Sequence, residues 1–597
     1  MTPGIIGVFP ARARPAAVPA DAEAVWPDIP LWTVGQWHAG EFRTARHNDT
    51  AVIVLGQCLA NDDELARAAA EFVRIEHLTT WPGSYTVVVA KPDKLVAAVD
   101  LAGQYPLYHR PTEGGVVLSS LLSRVNAVAG ARDVPHLPSL AAQIYFPHVP
   151  QLAHGRSALA GVDQTGGGET LRIGLDGTLR TSAAVIATPE PSLPLETAAG
   201  ELREALDLAI RLRVEAGARV TSDFSGGLDS TSLAFLAARH TPLHVFTYHH
   251  PNAPAGDLVH ARRFASLDSR LWHEVVTGDG GTLTYQRLAD PGDVPDAAST
   301  AYARTRLRLD RVAASGSEIH LTGEGADALL VPAPAYLADL ARRGSRRMLA
   351  QHVLRSGRHR RVSPASVLCR SVRTAGTSLA GALTGLAARV ERGEHHTASW
   401  LDAISWCPGP GVESTWMTTA TRGDLAGLCR DAAARRGSVP DGFGIADLIA
   451  LDEVRTAGAF HRQLIDTARA HGVWSHAPFL DHAVIRACTR ASAFQRADPE
   501  GLKPLLRLAM ADLVPPEVLR RREKGNYIRE DIQGLAANVS SLAKLIATSR
   551  VAEAGLVEPS AVIDSLHRAA AGGPPLFPAL NRLLGVESWL RGLEEFR

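Results

Sequence analysis

Cysteine is scarce in this chain of 597 residues, and its placement excludes several kinds of site. The five cysteines are Cys58, Cys369, Cys407, Cys429 and Cys488, and no two of them form a Cys-x-x-Cys pair. A zinc knuckle and a dithiol relay are therefore not encoded. An odd number of scattered cysteines suits a reducing compartment, so we expect a cytoplasmic protein.

Long apolar runs and an excess of charge of either sign are also missing. No stretch approaches the 18 apolar residues of a membrane span, and the N-terminus lacks a charged region followed by a long apolar segment. Lys plus Arg and Asp plus Glu both number 62, so the overall charge favours neither a nucleic acid nor an anionic membrane as a partner. The sequence predicts a soluble protein.

The length and the short apolar runs predict an N-terminal layered α+β domain at residues 1–185. A chain this long exceeds a single core. The β-like runs are residues 5–9, 50–55, 84–90, 95–100 and 115–119. Residues 61–72 have the pattern of a helix with acidic residues in its first turn. A proline-rich linker at residues 187–194 follows, and we place the second domain at residues 186–597.

Beyond the linker, strands and helices alternate, which predicts a doubly wound parallel sheet with ligands at the carboxyl ends of its strands. The strand-like runs are residues 218–224, 243–248 and 318–321, and the helical ones are residues 231–238 and 257–267. The chain is mostly helical from about residue 335, and residues 335–450 are a candidate docking region for a peptide or partner. Residues 355–392 carry many arginines, which form either a solvated basic face or a dock for an acidic peptide or protein.

The strand at residues 218–224 leads into a turn of small residues that is suited to phosphate. The turn and the following helix start read Ser225-Gly226-Gly227-Leu228-Asp229-Ser230-Thr231. The glycines let the backbone approach a ligand, and the amides of the turn and of the helix N-terminus point outward. Asp229 is a candidate ligand of Mg²⁺, and the hydroxyl groups are candidates for the phosphate oxygens. No lysine follows the glycines, which excludes the Gly-x4-Gly-Lys-Ser/Thr loop that binds β- and γ-phosphates. The turn instead resembles the pyrophosphate loop of enzymes that split ATP into AMP and pyrophosphate.

A second turn of this kind follows residues 318–321 and reads Thr322-Gly323-Glu324-Gly325-Ala326-Asp327. Asp327 lies 98 residues after Asp229, but the carboxyl ends of parallel strands meet at one edge of a sheet. We therefore expect both carboxylates to bind one Mg²⁺, with a triphosphate supplying further ligands. ATP is predicted to place its phosphates on the first turn and its adenine beside Thr322 and Gly323.

The two turns together resemble the synthetase domain of asparagine synthetase B, and further segments extend the resemblance over most of the chain. They are Trp81-Pro82-Gly83-Ser84-Tyr85 and Asp100-Leu101-Ala102-Gly103-Gln104-Tyr105-Pro106-Leu107-Tyr108 in the first half, and Ala477-Pro478-Phe479-Leu480-Asp481-His482, residues 503–510, Pro515-Pro516-Glu517-Val518-Leu519 and Lys524 in the second. The resemblance implies a degenerate N-terminal-nucleophile (Ntn) glutaminase-like domain followed by a synthetase domain that uses ATP and Mg²⁺.

The resemblance also implies roles for side chains outside the first turn. Lys524 is expected to stabilise the negative charge of the tetrahedral intermediate and of AMP. Glu324 would accept a proton from the attacking ammonium, or orient its own loop by hydrogen bonds. Lys503 and Arg507, one helical turn apart, would contact phosphates or face solvent. Asp481 would cap the helix that follows it.

One departure from this family concerns the source of the amine. The family's glutaminase uses a cysteine that becomes N-terminal when methionine is removed, whereas this chain begins Met1-Thr2-Pro3-Gly4 and has its first cysteine at Cys58. We expect that Thr2 does not replace the cysteine as a nucleophile. The glutaminase is therefore predicted to be inactive, and the amine to belong to the substrate itself.

An amine within the substrate is typical of the ring-closing relatives, the β-lactam synthetases and the macrolactam synthetases of lasso peptides. Residues 82–85, residues 100–108 and the long helical stretch resemble the lasso peptide enzymes, and β-lactam synthetase has a tyrosine where this chain has Glu324. The resemblance implies a precursor core peptide as substrate, with a leader peptidase and a leader-binding protein as partners. A β-lactam synthetase and an ammonia-dependent asparagine synthetase are the alternatives.

Overall fold

The computed structural model of the chain describes residues 2–10, 13, 15–71, 74–183, 188–190, 193–397, 399–435, 440–522, 525 and 527–595. Its first part consists of strands and short helices. The strands are β1 Gly4–Phe9, β2 Glu23–Trp26, β3 Ile29–Val34, β4 Phe42–His47, β5 Thr50–Cys58, β6 Gly83–Ala90, β7 Lys94–Ala98, β8 Leu107–Thr112, β9 Gly115–Ser119, β10 Asp163–Thr165, β11 Glu169–Gly174 and β12 Leu179–Ala183. The helices are α1 Asp62–Ala70, α2 Ile75–Leu78, α3 Leu122–Ala129 and α4 Leu137–Tyr145.

These strands form two six-stranded antiparallel sheets, ordered β10-β8-β9-β1-β3-β2 and β12-β11-β7-β6-β5-β4. Successive residues of a strand point to opposite faces, and β1 and β5 are apolar on both faces. Ile5 of β1 and Ile53 of β5 meet in the core between the sheets. Val52 instead packs in a cluster with residues of α1, and Ile6 packs in a cluster with residues of α3 and α4. Helices therefore cover the outer faces of the two sheets, consistent with the expected layered arrangement.

The helix predicted at residues 61–72 starts where its sequence supplies a cap. The Asn61 side chain accepts a hydrogen bond from the Glu64 N–H (2.8 Å), and the Glu64 carboxylate accepts one from the Asn61 N–H (2.7 Å). This capping box satisfies two backbone donors. The helix ends at Ala70, and Phe72 lies outside the described residues.

The second part contains a five-stranded sheet in which every neighbouring pair of strands is parallel. Its strands are β13 Val220–Asp223, β14 Leu243–His249, β15 Leu271–Thr277, β16 Ile319–Leu321 and β17 Trp474–His476, in the order β15-β14-β13-β16-β17. The helices of this region are α5 Leu195–Glu215, α6 Leu228–Ala238, α7 Gly256–Ala265, α8 Tyr302–Ala314 and α9 Ala326–Leu330. The predicted mixed α/β architecture with a parallel sheet is confirmed.

Most of the remaining chain is helical. The helices are α10 Tyr336–Arg343, α11 Arg346–Arg360, α12 Pro364–Ala375, α13 Leu379–Glu391, α14 Thr419–Ala434, α15 Ile445–Arg469, α16 His482–Arg490, α17 Ala493–Arg496, α18 Pro504–Ala509, α19 Pro516–Leu519, α20 Ile528–Ala547, α21 Arg550–Glu553, α22 Pro559–Ala570 and α23 Phe577–Glu595. Leu386 of α13 and Leu425 of α14 share a core with Leu140 of α4, so these helices rest on the outer layer of the first part. In the described ranges, none of the helices has the length and apolar character needed to cross a membrane.

A fully buried arginine, Arg213 in the last turn of α5, joins the two parts. Its guanidinium donates to both carboxylate oxygens of Asp481 (2.7 Å each) and to Nδ1 of His476 (2.9 Å). It also donates to the side-chain oxygen of Gln57 in β5 (3.2 Å), and the Gln57 amide donates to the Ser475 carbonyl oxygen (2.9 Å). One cation therefore ties the first part of the chain to α5 and to the segment around β17.

The prediction that Asp481 caps the following helix is wrong. Asp481 stands at the N-cap position of α16, but its side chain makes no capping hydrogen bond. Both carboxylate oxygens are instead bound by Arg213. A buried carboxylate needs a charged partner more than the helix end needs a side-chain cap, so the ion pair prevails.

We expect Arg213→Met to lower the free energy of unfolding by about 3–5 kcal/mol, because it leaves the Asp481 carboxylate buried and unpaired. Arg211→Met is the matched control on the same helix. Arg211 pairs with Glu215 at the surface (3.4 Å), and such a pair contributes less than about 1 kcal/mol. Urea unfolding followed by tryptophan fluorescence measures both variants. Equal unfolding midpoints would contradict the stabilising role of Arg213.

Candidate active site

The two predicted phosphate-binding turns meet where the strand order of the parallel sheet reverses. Residues 224–227 follow β13, and residues 322–325 follow its neighbour β16. A crevice forms at such a position because the connections from the two strands leave in opposite directions. The turns are in contact, since a Cβ atom added to Gly323 would lie 3.1 Å from the Ser230 nitrogen and 3.4 Å from the Asp229 Cβ.

One glycine and two hydroxyl groups fix the shape of the first turn. Gly226 has a φ of +71°, and a Cβ atom there would lie 2.7 Å from the Asp257 carbonyl oxygen, so only glycine fits. The Ser225 N–H donates to Ser230 Oγ (3.1 Å), and the Gly227 N–H donates to Ser225 Oγ (3.2 Å). The turn is thus preorganised at the N-terminus of α6, where the helix dipole favours an anion.

A cavity of about 850 Å³ opens over these turns, within the range of roughly 300–1,000 Å³ that is usual for small-molecule sites. The predicted residues that line it are Ser225, Asp229, Ser230, Gly323, Glu324 and Asp327, whereas Gly226, Gly227, Leu228, Thr231, Thr322 and Lys503 do not. Thr231 is fully buried, and the Thr322 N–H donates to the His476 carbonyl oxygen (2.8 Å). The predicted residues that do not line the cavity therefore lie behind those that do.

A buried lysine connects the two predicted magnesium ligands. The Lys503 ammonium lies 2.6 Å from each carboxylate oxygen of Asp229 and 2.6 Å from Oδ1 of Asp327. The side chains of Lys503 and Asp229 are 9% and 12% exposed, whereas that of Asp327 is 65% exposed at the cavity. Two carboxylates far apart in the sequence therefore meet at one cation.

The donor atoms at this point suit a hard divalent cation. Mg²⁺ commonly takes one or two carboxylates from a protein and completes its octahedron with phosphate oxygens and water. Within the described residues, no group of three or more His, Cys, Asp or Glu side chains is placed to hold a metal ion. Asp229 and Asp327 therefore fit a magnesium ion that arrives with a triphosphate better than a metal caged by protein alone.

A charged trio at the back of the cavity is not among the predicted residues. Asp223 ends β13, and its carboxylate accepts hydrogen bonds from Arg308 of α8 (3.0 and 3.1 Å) and lies 3.2 Å from Nε2 of His320. Burial alone raises the pKa of the Asp223 carboxyl, but Arg308 and His320 together outweigh it and hold the pKa below its usual value. The sequence feature that could have identified Asp223 as a site residue is its position, an acidic residue at the end of an otherwise buried parallel strand.

One face of α15 forms another part of the cavity wall that sequence reasoning missed. Glu453, Thr456, Ala457 and Phe460 line the cavity at helical spacing. Burial, and to a lesser degree the neighbouring Asp452, raises the pKa of the Glu453 carboxyl to about 7. Glu453 forms no hydrogen bond or ion pair with another residue of the described ranges. A carboxyl group with this pKa can take up or release a proton at neutral pH.

The predicted catalytic residue Lys524 lies outside the described residues, but the chain on both sides of it is held against the first turn. Arg521 donates to the Gly226 carbonyl oxygen and to Asp257 of α7. The Gly525 N–H also donates to Asp257 (3.0 Å). Arg507 donates to the carbonyl oxygens of Leu519 and Arg521 rather than reaching the cavity. Its contact supports the segment that carries Lys524.

The region around Thr2 offers little room for a second substrate. The cavity beside Thr2, Tyr105 and Arg462 measures about 40 Å³, which accommodates roughly three water molecules. The first cysteine of the chain, Cys58, is buried in β5, and burial raises the pKa of its thiol to about 11. It therefore stays protonated at neutral pH and is a poor nucleophile.

Comparisons with known proteins place the chain in a family. Residues 201–591, well over half of the chain, match the asparagine synthase family, which indicates ATP-dependent formation of amide bonds. No curated protein gave a significant match.

Solved structures with some similarity include NMN synthetase from Francisella tularensis (16% identity, covering 23% of this chain and 58% of that one, TM-score 0.18). A second is an allosteric regulatory enzyme of purine biosynthesis (11% identity, covering 46% of this chain and 74% of that one, TM-score 0.19). A third is glutamine phosphoribosylpyrophosphate amidotransferase from B. subtilis (10% identity, covering 74% of this chain and 88% of that one, TM-score 0.20). TM-scores this low carry no argument about function. On the family match over residues 201–591, the chain belongs to the asparagine synthase family.

Proposed function

We propose that this protein is an ATP-dependent amide ligase that closes a macrolactam ring in a lasso peptide precursor. It would activate an Asp or Glu side-chain carboxylate of the core peptide as an acyl-AMP and join it to the N-terminal amine of the same peptide. The observation that carries the proposal is the contact of Lys503 with Asp229 and Asp327 at the cavity between the two turns. It places two carboxylates and a cation beside a preorganised anion site.

In the first step, an oxygen of the substrate carboxylate attacks the α-phosphorus of ATP. A carboxylate–phosphorus bond forms, the bond to the bridging oxygen of the β-phosphate breaks, and pyrophosphate leaves with the electron pair. The amides of the first turn of α6, which have no acceptor within the helix, and the ammonium of Lys503 receive this charge. Asp229 and Asp327 would hold Mg²⁺, which supplies charge neutralisation when it is bound. Catalysis in this step is positional and electrostatic.

In the second step, the amine attacks the acyl carbon, a carbon–nitrogen bond forms, and AMP leaves. The ammonium must lose a proton, and two carboxylates line the cavity for that purpose. Glu324 lies beside Arg308 and is the residue that sequence resemblance implies. Burial raises the pKa of the Glu453 carboxyl to about 7, and Glu453 has no hydrogen-bond or ion-pair partner in the described ranges, so we assign it the proton. Lys524 would stabilise the charge on the tetrahedral intermediate.

The assignment of a ring closure rests on the source of the amine. Among the described residues, no cysteine lines the cavity beside Thr2, and this cavity is too small for glutamine. An amine within the substrate removes the need for ammonia. The apolar side chains of Phe460, Tyr527 and Val331 in the main cavity wall suit the side chains of a peptide. A leader peptidase and a leader-binding protein would supply the substrate with a free N-terminus.

Incubation of the protein with ATP, Mg²⁺ and leaderless core peptides tests the proposal. A product that has lost the mass of one water, with one AMP formed per ring, supports ring closure. Formation of asparagine from aspartate and ammonia, with no peptide product, would instead identify an ammonia-dependent asparagine synthetase. Ring closure of a small amino acid alone would identify a β-lactam synthetase.

Asp229→Ala and Asp327→Ala are each expected to lower ATP–pyrophosphate exchange by about 100-fold or more, because each removes a carboxylate from the phosphate site. Asp63→Ala, which removes an exposed carboxylate of α1, is the control and should leave the exchange rate unchanged. If either site variant exchanges pyrophosphate at the rate of the unmodified protein, the proposed metal role of that residue is wrong.

Glu453→Gln is expected to retain ATP–pyrophosphate exchange but to lose ring formation. A general base must be deprotonated to act, so below pH 7 the protonated Glu453 slows ring formation, and the rate rises with pH and levels off above about pH 7. Asp452 precedes Glu453 on the same helix and does not line the cavity. The acidic, arginine and histidine side chains that line the cavity together with Glu453 are Asp223, Asp229, Asp257, Glu324, Asp327, Arg308, His148, His249 and His250. If Glu453→Gln still forms the ring and keeps the inflection near pH 7, and Glu324→Gln loses that inflection, then Glu324 is the residue that accepts the proton.

Thr2→Ala is expected to leave ring formation within about twofold of the unmodified protein, since no step of the proposed reaction uses this hydroxyl. Release of glutamate from glutamine, measured in the same samples, should be at background in both proteins. Glutamine hydrolysis that disappears in Thr2→Ala would show that Thr2 is a nucleophile after all.

A further inference from the structure

One segment of the chain carries basic side chains without any acidic ones. Residues 340–390 contain 11 of the 62 Lys and Arg residues, all of them arginines, and none of the 62 Asp and Glu residues. The rest of the chain therefore holds 51 basic and 62 acidic residues. This separation of charge is hidden by the zero net charge of the whole protein.

In α11 the arginines of this segment lie on the side that faces away from the protein. Val353, Ser356 and Gly357 are buried. Arg347, Leu354 and Arg358 are exposed and share the opposite face, at spacings of seven and four residues. Arg361 continues the face just past the end of the helix and is exposed as well. The outer face of α11 is therefore basic with a leucine, half exposed, at its centre.

The adjoining helix α12 exposes an apolar face. Val367, Ser371 and Thr374 are buried, whereas Leu368 and Val372 are 43% and 56% exposed and stand one turn apart. The two helices pack together, as Gly357 lies directly against Pro364. A basic strip and an apolar strip thus lie side by side, and we call them the α11–α12 surface.

The protein itself neutralises only part of this charge. Arg342, Arg355 and Arg370 pair with Asp339, Glu500 and Asp402 (3.6, 3.2 and 3.7 Å), and Arg360 stacks on Trp400. Apart from Arg360, the exposed arginines of residues 340–390 that have no acidic partner in the described parts of the chain are Arg343, Arg346, Arg347, Arg358, Arg361 and Arg373. Like charges at this density repel one another unless an anionic partner covers them.

We propose that the α11–α12 surface docks an acidic amphipathic helix of a partner protein. Carboxylates of such a helix would pair with the arginines of α11, while its apolar residues cover Leu354, Leu368 and Val372. Arginine is enriched at protein interfaces, where it combines charge with a large apolar stem. An amphipathic helix presents both kinds of group at the required spacing. The proposal does not depend on the reaction catalysed at the main cavity.

Two other kinds of anionic partner, a nucleic acid and an anionic membrane, match the α11–α12 surface less well. A nucleic acid is bound through its phosphates and gains nothing from the exposed Leu368 and Val372. The acidic remainder of the chain would also repel it at low ionic strength. A membrane-binding helix usually inserts aromatic and long aliphatic side chains, and the outer face of α12 offers one leucine and one valine.

A labelled 18-residue peptide with leucine on one helical face and glutamate on the other serves as the probe, with fluorescence anisotropy as the readout. The unmodified protein should bind it at least tenfold more tightly than the same peptide with glutamine in place of glutamate. The variant R347E/R358E/R361E should lose at least tenfold in affinity, and L368S/V372S several-fold.

The matched control R239E/R263E/R311E changes the net charge by the same amount at three exposed arginines outside the α11–α12 surface, and its affinity should stay within twofold. Far-UV circular dichroism and an unfolding midpoint equal to those of the unmodified protein show that all variants are folded, so peptide binding is read independently of any activity at the main cavity. Equal losses in the two triple variants would overturn the proposal. So would tighter, arginine-dependent binding to a single-stranded RNA or to phosphatidylserine vesicles than to the peptide.

Discussion

The burial of one cation, Arg213, constrains much of the structure around the candidate active site. A buried guanidinium has no water to replace a lost partner, so each of its partners must hold its position. Those partners come from β5, from the end of β17 and from the start of α16. β17 pairs with β16, and the His476 carbonyl oxygen binds the Thr322 N–H of the second turn. The placement of Glu324 and Asp327 thus depends on an ion pair that lies outside the cavity.

The polar groups around this cation are arranged so that no second positive charge competes with it. Burial, followed by the charge of Arg213, lowers the pKa of His461 to about 3, and burial lowers that of His476 well below its usual value. Both rings are therefore neutral at physiological pH. His461 bonds to Gln104 of the first part (2.5 Å) and to Ser475 (3.0 Å). Around Arg213, the polar network that joins the two parts of the chain therefore carries its charge on Arg213 and Asp481.

The features that sequence reasoning predicts are those that local pattern determines. The parallel sheet and both turns follow from apolar runs that end in glycine and small polar residues. β15 and β17 are not predicted, because His273 and Glu274 interrupt the apolar run of β15, and β17 has only one apolar residue, Trp474. The partners of Asp229 and Asp481 escape for another reason. Lys503 is 274 residues from Asp229, and Arg213 is 268 residues from Asp481. Neither contact therefore produces a local sequence pattern from which it could be predicted.

The position of Lys503 has a consequence for the order of events at the site. Before any nucleotide arrives, its ammonium already serves as the counter-ion of Asp229 and Asp327. These carboxylates can accept a divalent cation only if the lysine releases them. Under the proposed function, the new anions nearest to the released ammonium would be the phosphates that enter with that cation. Loading of the site would then be an exchange of counter-ions, in which Lys503 passes from two aspartates to the nucleotide and returns when the products leave.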